Sequence, residues 1–516
     1  MKKYTHNYDG DVIEFKIIEH KAKVQFIKEV NIEKLYYKGS SEKISCRRLF
    51  KKNNTYEVDL IKGLKLNDPI IDSEKELVKS KNRTYERKGE IYFGSSSVII
   101  LTDYAYSKEE IQKKINIEVG IGECKDGYAN FHLITYDNDK IAEDQQKILS
   151  NLSWVSIAEL NFSTIEKAPQ LFEYFNPKFY NKIAPDLGEQ KAYDTIKVNE
   201  THKQGYIGKK NIKVGILDSG VDLTHIDLRE AIIKKYSWDF INEDSKPNPS
   251  NYDPHGTHCA GLAVGNKIGK YGVDGVATGC GLAAYRIGFS DYDENDINRI
   301  RFNIDLFKII KALLIAGFED KTDVINCSWT FKSPFKTLRA AIEEVATKGR
   351  EGLGTPIVFS AGNKQCTQQF PSNLDSVITV AALDIDNMPK KKKECNSSDW
   401  GSNYGTKVDI AAPGTNLITT DIMYVYGANR ETKPGGGNNY FLNFSGTSAS
   451  APLVTGCIAL MLCQNPNLKA EEIKSIIMKE GIYTPFPSTP DNHYGVGILN
   501  VYNCVNEAIK LNNNQK

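Results

Sequence analysis

The sequence predicts an α/β fold: a doubly wound parallel sheet after residue 210, preceded by a small ferredoxin-like α+β unit and a β-rich N-terminal segment. Three observations predict it. Apolar runs of strand length recur as NIKVGILD, LAAYRIG, DVINCSW, PIVFSAGN and SVITVAALD, without the polar alternation of a half-exposed strand, as expected of strands buried on both faces. Amphipathic patterns, NIDLFKIIKALLIAG and KTLRAAIEEVATKG, lie between them, and such alternation marks a parallel sheet flanked by helices. From Ser96 to about Ile165 the order is strand, helix, strand, strand, helix, strand, which matches a ferredoxin-like unit.

Taken in order, residues 1–95 contain two alternating runs, VIEFKII (Val12 to Ile18) and AKVQFIK (Ala22 to Lys28), with the period of half-buried strands. KSKNRTYERKG (Lys79 to Gly89) reads as a charged, solvated loop. No chemistry is assigned to this segment. In residues 96–165, SVIILTD is an apolar strand, and Ser107 caps a helix with acids in its first turn. Lys125-Asp126-Gly127 is predicted to turn a hairpin. AEDQQKILSNL is a second helix, and WVSIAELNF the closing strand. Residues 166–209, with Pro169, Pro177 and Pro185, read as a linker, and a cleavable connector would look the same as an ordinary one. The doubly wound sheet is assigned to 210–506 and a tail to 507–516.

Composition bounds the function. The 516 residues carry 66 Lys+Arg against 65 Asp+Glu, with 40% hydrophobic and 25% charged, which is globular composition with length for several domains. A net charge of +1 offers no basic field for nucleic acid or acidic lipid, so neither nucleic acid nor membrane is expected as a partner. No apolar run reaches the ~18–20 residues of a membrane span, the best being Gly456 to Leu462. MKKYTHNYDGDVIEF has no apolar stretch behind its lysines, unlike a secretory signal. A cytoplasmic location is expected, with non-classical export left open. The ten cysteines form no C-x-x-C pair, so no zinc site is expected and the thiols are read as reduced, several as core residues.

In a doubly wound sheet, ligands bind at the carboxyl ends of the strands. Asp218 ends the strand KVGILD before Ser-Gly, and His255 opens HGTHCAGLAVG, where Gly256 and Gly261 permit close helix packing. Asn363 ends PIVFSAGN. Ser448 lies in NFSGTSASAPLVTG, at the start of an apolar helix with Pro452 in its first turn. Each motif alone could be structural. Together, in the order Asp, His, Ser, they point to nucleophilic catalysis, with spacings of 37 (255−218) and 193 (448−255) residues.

The motifs ILDSGVD, HGTHCAG, SAGN and SGTSASAP resemble those of the subtilisin-like serine proteases, from about Lys210 to Asn506. The resemblance implies a sheet of subtilisin type and a serine endopeptidase. Ser448 would be the nucleophile, His255 its general base, and Asp218 the residue that fixes the imidazole. Asn363 would hold the oxyanion, and removing such a donor costs ~10²–10³ in turnover, a magnitude that comes from a subtilisin. A protein or peptide substrate would lie extended near Ser328, Ser360 and Gly362. Cofactors are not required for the chemistry, and no catalytic metal is implied.

Several segments are similar to the kexin/furin-like branch: Cys259 after HGTH, Cys327 to Trp329, KGREGLGTPIVFSAGN and Ala449. Others depart from it. TFKSPFK after Trp329 and KQCTQQF after Asn363 contain no acid, Ser219 follows the catalytic aspartate, and little chain remains after GVGILNV. Cleavage after Arg or Lys therefore does not carry over, and a bacterial-type subtilase with kexin-like motifs is the closer description. Residues 96–165 resemble a subtilase propeptide, which implies that the chain's own N-terminal region is an intramolecular inhibitor, released by a cut between Phe162 and Gly208. A dedicated processing protease with one cognate protein, and a catalytically silent regulatory protein on the same fold, are the alternatives.

Other features are read as structural. His258 lacks the H-E-x-x-H context of a metal pair, and His225 and His493 are assigned to loops or the surface. Asp227 matches a family calcium position, but GNKIGKYGVDG lacks an oxygen-rich pattern, so structural calcium stays open. KKKK at 390–393 is read as a solvated insertion and GGG at 435–437 as a flexible one. YGVGILN lacks the third glycine of a nucleotide-binding loop.

Overall fold

The protein is represented by a computed structural model. It describes residues 3–8, 11–26, 35–37, 46–50, 55–59, 70–72, 75–76, 78–87, 90–167, 190–250, 253–267, 272–293, 296–392, 400–423, 427–428, 439–480, 482–483 and 491–514. For residues before 95, and for 163–167, 291–301 and 482–483, it describes the backbone alone. Lys393, the glycine run at 435–437 and most of the expected linker, 168–189, lie outside the described residues. The chain forms two compact units: Met1–Lys167 with Ser290–Lys311 and Ser333–Arg339, and Ala168–Phe289 with Ala312–Lys332 and Ala340–Lys516.

The first unit is built on an 11-stranded sheet. At its heart Glu90–Thr102 pairs antiparallel with Val155–Lys167 on one side and Phe131–Thr135 on the other. Glu123–Tyr128 pairs outside Phe131–Thr135. With helices Lys108–Glu118 and Asp139–Leu149 between the strands, the spatial order fourth, first, third, second is that of a ferredoxin-like unit. The first helix starts where expected: Ser107 and Glu110 form a reciprocal capping box, at 2.7 and 3.2 Å. It buries Ile111 and Ile115, both fully enclosed.

Several expectations are corrected in this unit. The hairpin turns at Ala129-Asn130, and Lys125–Gly127 lie within the strand. Gly127 pairs with His132 across the hairpin, and a Cβ at Gly127 would stand 2.6 Å from the His132 ring, so this glycine makes room for an imidazole instead of turning the chain. Residues 79–87, read as a loop, belong to the strand Val78–Arg87, which pairs with Asp11–Phe26 and with Glu90–Thr102. Backbone pairing to two neighbours outweighs a polar sequence. The two runs at 12–18 and 22–28 contribute to one strand, Asp11–Phe26, and Glu90–Thr102 runs through residue 95 without a break. The helix expected from Asn303 begins at Leu306. Asn303–Asp305 belong to the strand Asp296–Asp305, and Asp305 Oδ1 accepts the Lys308 N–H at 3.1 Å, which is how an N-cap ends a strand and starts a helix.

That strand is the partner of the closing ferredoxin strand: Val155–Lys167 pairs antiparallel with it from Ser163↔Asp305 to Lys167↔Arg301. Asn161 brackets the junction, its Nδ2 donating to Asp305 and its Oδ1 accepting from the Phe307 N–H, at 3.1 and 3.2 Å. Glu159, 1% exposed, accepts from the Lys336 and Thr337 N–H groups at 3.3 and 3.1 Å, at the positive end of the helix Lys336–Lys348.

The second unit holds a sheet in the order Trp238–Asp239, Gly281–Arg286, Lys213–Asp218, Val324–Cys327, Ile357–Ser360, Ile378–Leu383, Ile410–Pro413, Ile498–Leu499, Ile482–Tyr483. From Trp238–Asp239 through Ile498–Leu499 its neighbouring strands run parallel, and the last pair is antiparallel. The five apolar runs singled out in the sequence are its inner strands, and Val214 to Asp218 are buried. Successive strands step away from Lys213–Asp218 in opposite directions, so the topological switch lies at the carboxyl end of that strand. Residues 191–203, read as linker, form the short helices Lys191–Thr195 and Val198–Lys203, whose Tyr193 and Val198 enter the core with Ile196 between them. Residues 507–514, read as tail, complete the helix Val501–Asn514, where Ala508 is fully buried.

Two buried helices cross this sheet's layer. His255–Val264 is enclosed along its whole length. Thr447–Gln464 has the length and hydropathy of a membrane span, yet 94% of that stretch is buried inside the protein, so its apolar surface is spent on the core. The eight cysteines whose side chains are described are free thiols.

Candidate active site

The site is assembled where the switch point meets these two helices. Asp218, 1% exposed, closes its strand, and the chain turns at once through Gly220, whose φ of +104° favours glycine. Asp218 Oδ1 accepts from the Ser219 N–H and from His255 Nδ1, both at 2.7 Å. His255 is the first residue of its helix. Gly256 lets that helix come close: a Cβ there would lie 2.2 Å from the Gly220 carbonyl oxygen and 3.0 Å from Asp218 Cβ.

With Nδ1–H given to the carboxylate, His255 Nε2 carries the lone pair, and it has no hydrogen-bond partner among the described residues. Burial lowers the His255 pKa, but the Asp218 charge, its hydrogen bond and Asp253 outweigh burial and raise it above the ordinary histidine value. Phe444 packs edge-on against the ring at 5.9 Å.

Ser448 is the second residue of its helix and is 3% exposed. Its Oγ donates to the Ser328 carbonyl at 3.2 Å, while Ser328 Oγ and the Cys259 thiol donate to the Ser448 carbonyl at 3.2 and 3.5 Å. The serine is thus pinned between a strand end and the histidine helix, and the bond from Ser448 to His255 Nε2 is unmade at rest, as is common before substrate arrives.

Asn363 is oriented by Thr447, the neighbour of Ser448, to which sequence reasoning gave no role of its own. Asn363 Oδ1 accepts from the Thr447 N–H at 2.9 Å and from Thr447 Oγ1 at 2.8 Å, so the amide nitrogen faces the other way. It lies over Gly446, where a Cβ would stand 3.2 Å from Nδ2. That amide is an oriented donor at a helix N-terminus, the arrangement that stabilises a developing negative charge.

The expected substrate-binding residues fare differently. Ser328 and Ser360 are 1% and 2% exposed, and Ser328 receives the Asn326 amide at 3.0 Å. Ser328 therefore supports Ser448, and its hydroxyl is already committed. Gly362, at φ +101°, gives its N–H to Thr447 Oγ1 at 3.0 Å, and a Cβ there would meet the Asn403 amide at 2.4 Å.

Asp218, His255 and Cys259 each bring one donor atom within 4.8 Å of the others. They read as part of a proton-transfer site because Asp218 and His255 bond to each other and burial pushes the Cys259 thiol pKa up. Asp227 Oδ2 accepts the Val273 N–H at 2.8 Å, and a calcium ion there would need 6–8 oxygens. Residues 268–271 of that loop lie outside the described residues. His225, expected in a loop or at the surface, is fully buried, with Nε2 2.8 Å from the Asn439 carbonyl and the ring beside Tyr440. His258 is also fully buried and bonds to Asp421 at 3.1 Å. Lys390 of the lysine run gives its ammonium to the Trp400 carbonyl at 3.0 Å.

A family profile described as "Subtilase family" matches residues 209–497. A "Calcium-dependent protease" of Trichormus variabilis is 30% identical over 339 residues, covering 57% of this chain and 46% of that protein. A "Dibasic-processing endoprotease" of Yarrowia lipolytica is 28% identical over 330 residues, covering 59% of this chain and 31% of its own length. The chain thus spans less than half of these curated relatives. The solved structure of fervidolysin from Fervidobacterium pennivorans, described as a keratinolytic enzyme related to subtilisin, superposes with a TM-score of 0.60 at 21% identity, covering 82% of this chain and 62% of that one.

Proposed function

Because the chain belongs to the subtilase family, we propose that it is a serine endopeptidase that hydrolyses peptide bonds through an acyl-enzyme on Ser448. The observation that carries this is the buried 2.7 Å bond between His255 Nδ1 and Asp218, which leaves Nε2 as an oriented base. Ser448 Oγ attacks the scissile carbonyl carbon while His255 Nε2 takes its proton. Asp218 holds the tautomer and stabilises the imidazolium. The carbonyl oxygen, now anionic, is received by Asn363 Nδ2 and the N-terminus of the serine helix. His255 returns the proton to the leaving amine, and water, activated by the same base, cleaves the ester. A fluorophosphonate probe tests this: wild type should label at Ser448 and Ser448→Ala should not. Failure of wild-type protein, freed of residues 1–167, to label would leave the catalytically silent reading.

The N-terminal region is the proposed intramolecular inhibitor. Support comes from the strand Val155–Lys167, which pairs with Asp296–Asp305, a strand inside the family-matched stretch, and from Glu159 at the start of a family-matched helix. Intact mass of wild type beside Ser448→Ala checks it: only wild type should split between Phe162 and Gly208. No step of this chemistry needs a metal. Although two relatives are named calcium-dependent proteases, chelation is expected to leave the initial rate of the processed enzyme unchanged.

A further inference from the structure

One turn beyond His255 on the same helix lies a second buried histidine–aspartate pair. His258 Nε2 donates to Asp421 Oδ1 at 3.1 Å, and both side chains are fully buried. Asp421 does not wait passively for the histidine. The same Oδ1 accepts the Ile422 and Ala428 N–H groups at 2.8 and 3.0 Å, and Gly427 leaves room for the carboxylate, since a Cβ there would stand 2.4 Å from its carbon. The ring of His258 stacks on Phe441 at 5.0 Å with planes 4° apart, and meets Phe444 at 4.9 Å. Phe444 is also the ring against His255.

These contacts lie on a hairpin that leads to the nucleophile. Leu417–Thr420 pairs antiparallel with Tyr440–Phe444, and Phe444 is followed by Ser445, Gly446, Thr447 and Ser448. The first hairpin strand is laced to the histidine helix by two further bonds, Thr419 Oγ1 to the His258 carbonyl at 2.6 Å and Thr420 Oγ1 to the Thr257 carbonyl at 2.7 Å. The helix bearing the base and the strand leading to the serine are therefore joined through one polar pair and one aromatic cluster, and His258 belongs to both. Burial, only partly offset by Asp421, lowers the His258 pKa, so the ring stays neutral and keeps one N–H for the carboxylate.

We propose that His258 and Asp421 form a positioning pair that sets the separation of His255 Nε2 and Ser448 Oγ by locking the histidine helix to the serine hairpin. The inference rests on the endopeptidase reading above. The pair touches neither substrate nor the reacting atoms, so its loss acts on the chemical step through geometry. A displacement of about 1 Å at reacting groups costs on the order of 10²-fold.

The test is a double-mutant cycle in the full chain, activated as wild type is, with His258→Phe, which keeps the stacking on Phe441, and Asp421→Asn, which keeps the shape. For each folded variant, kcat, KM and the rate of fluorophosphonate labelling at Ser448 are measured. Each single variant is expected to lose ~10–100-fold in kcat and in labelling rate with KM within about twofold, and the double variant to lose no more than the worse single one, because the two act as a unit. Folded variants whose kcat and labelling match wild type within about twofold would overturn the proposal, as would losses confined to KM. If His258→Phe does not fold, Thr419→Val, which removes only the tie to the His258 carbonyl, is read by the same criteria. Wild type that never labels would instead refute the endopeptidase reading, which separates the two failures.

Discussion

Gly256→Ala adds one methyl group between the base and its acid. A Cβ at Gly256 would lie 2.2 Å from the Gly220 carbonyl oxygen, a backbone atom, where ordinary contact begins at 3.4 Å. Relief demands that helix and strand end part by about 1.2 Å (3.4−2.2). Added to the 2.7 Å His255–Asp218 bond, such a shift gives about 3.9 Å, beyond hydrogen-bond range. The helix itself tolerates alanine better than glycine, by ~1 kcal/mol, so any loss arises from the contact alone. We expect kcat/KM and the labelling rate of Ser448 to fall on the order of 10²-fold, with overpacking costing ~1–3 kcal/mol in stability. Stopped-flow labelling on protein shown to be folded by circular dichroism measures the first, and urea titration the second. A folded Gly256→Ala enzyme within threefold of wild type would refute the claim that this close approach holds the catalytic pair together.

Three further outcomes follow from the same geometry. Asn363→Ala should lower kcat ~10²–10³-fold with little change in KM, the scale known for an oxyanion donor in a subtilisin; steady-state kinetics on a peptide substrate checks the split. Asp218→Asn removes the charge that raises the His255 pKa, so the acid limb of kcat/KM, which needs neutral His255, should move to lower pH as kcat drops ~10⁴-fold. In the first unit, His132 is 1% exposed, and burial holds its pKa at about 4. The unfolded ring titrates near ~6.5, so the unfolded chain binds the extra proton first and the stability of this unit should fall as pH drops from about 6.5 towards about 4. Urea midpoints against pH, with His132→Phe lacking that slope, measure it.

Where the candidate site residues stand in the fold was legible in the sequence, for a physical reason. A strand buried on both faces must be a continuous apolar run, and a polar residue with a glycine close by at its carboxyl end marks where the chain leaves the sheet. Asp218 and Asn363 stand at or just beyond such strand ends, while His255 and Ser448 stand at helix starts that local rules of turns and caps also reveal. The capping box at Ser107 and Glu110 was readable for the same reason, since its two bonds span three residues.

What only the tertiary structure decided depends on partners distant in sequence. Gly127 looked like a turn because the imidazole it accommodates sits on the opposing strand. The polar stretch 79–87 became a strand through pairing with Asp11–Phe26 and Glu90–Thr102. Asn303–Asp305 left a helical pattern to pair with residues 163–165, more than a hundred positions earlier. That Ser328 bonds to Ser448 follows from the convergence of a strand end and a helix distant in sequence. Asp421 and His258 are 163 residues apart, in stretches with no shared period or spacing. Local pattern determines which residues stand at the ends of elements. Which of those ends meet is set by long-range packing of the sheet and its two buried helices.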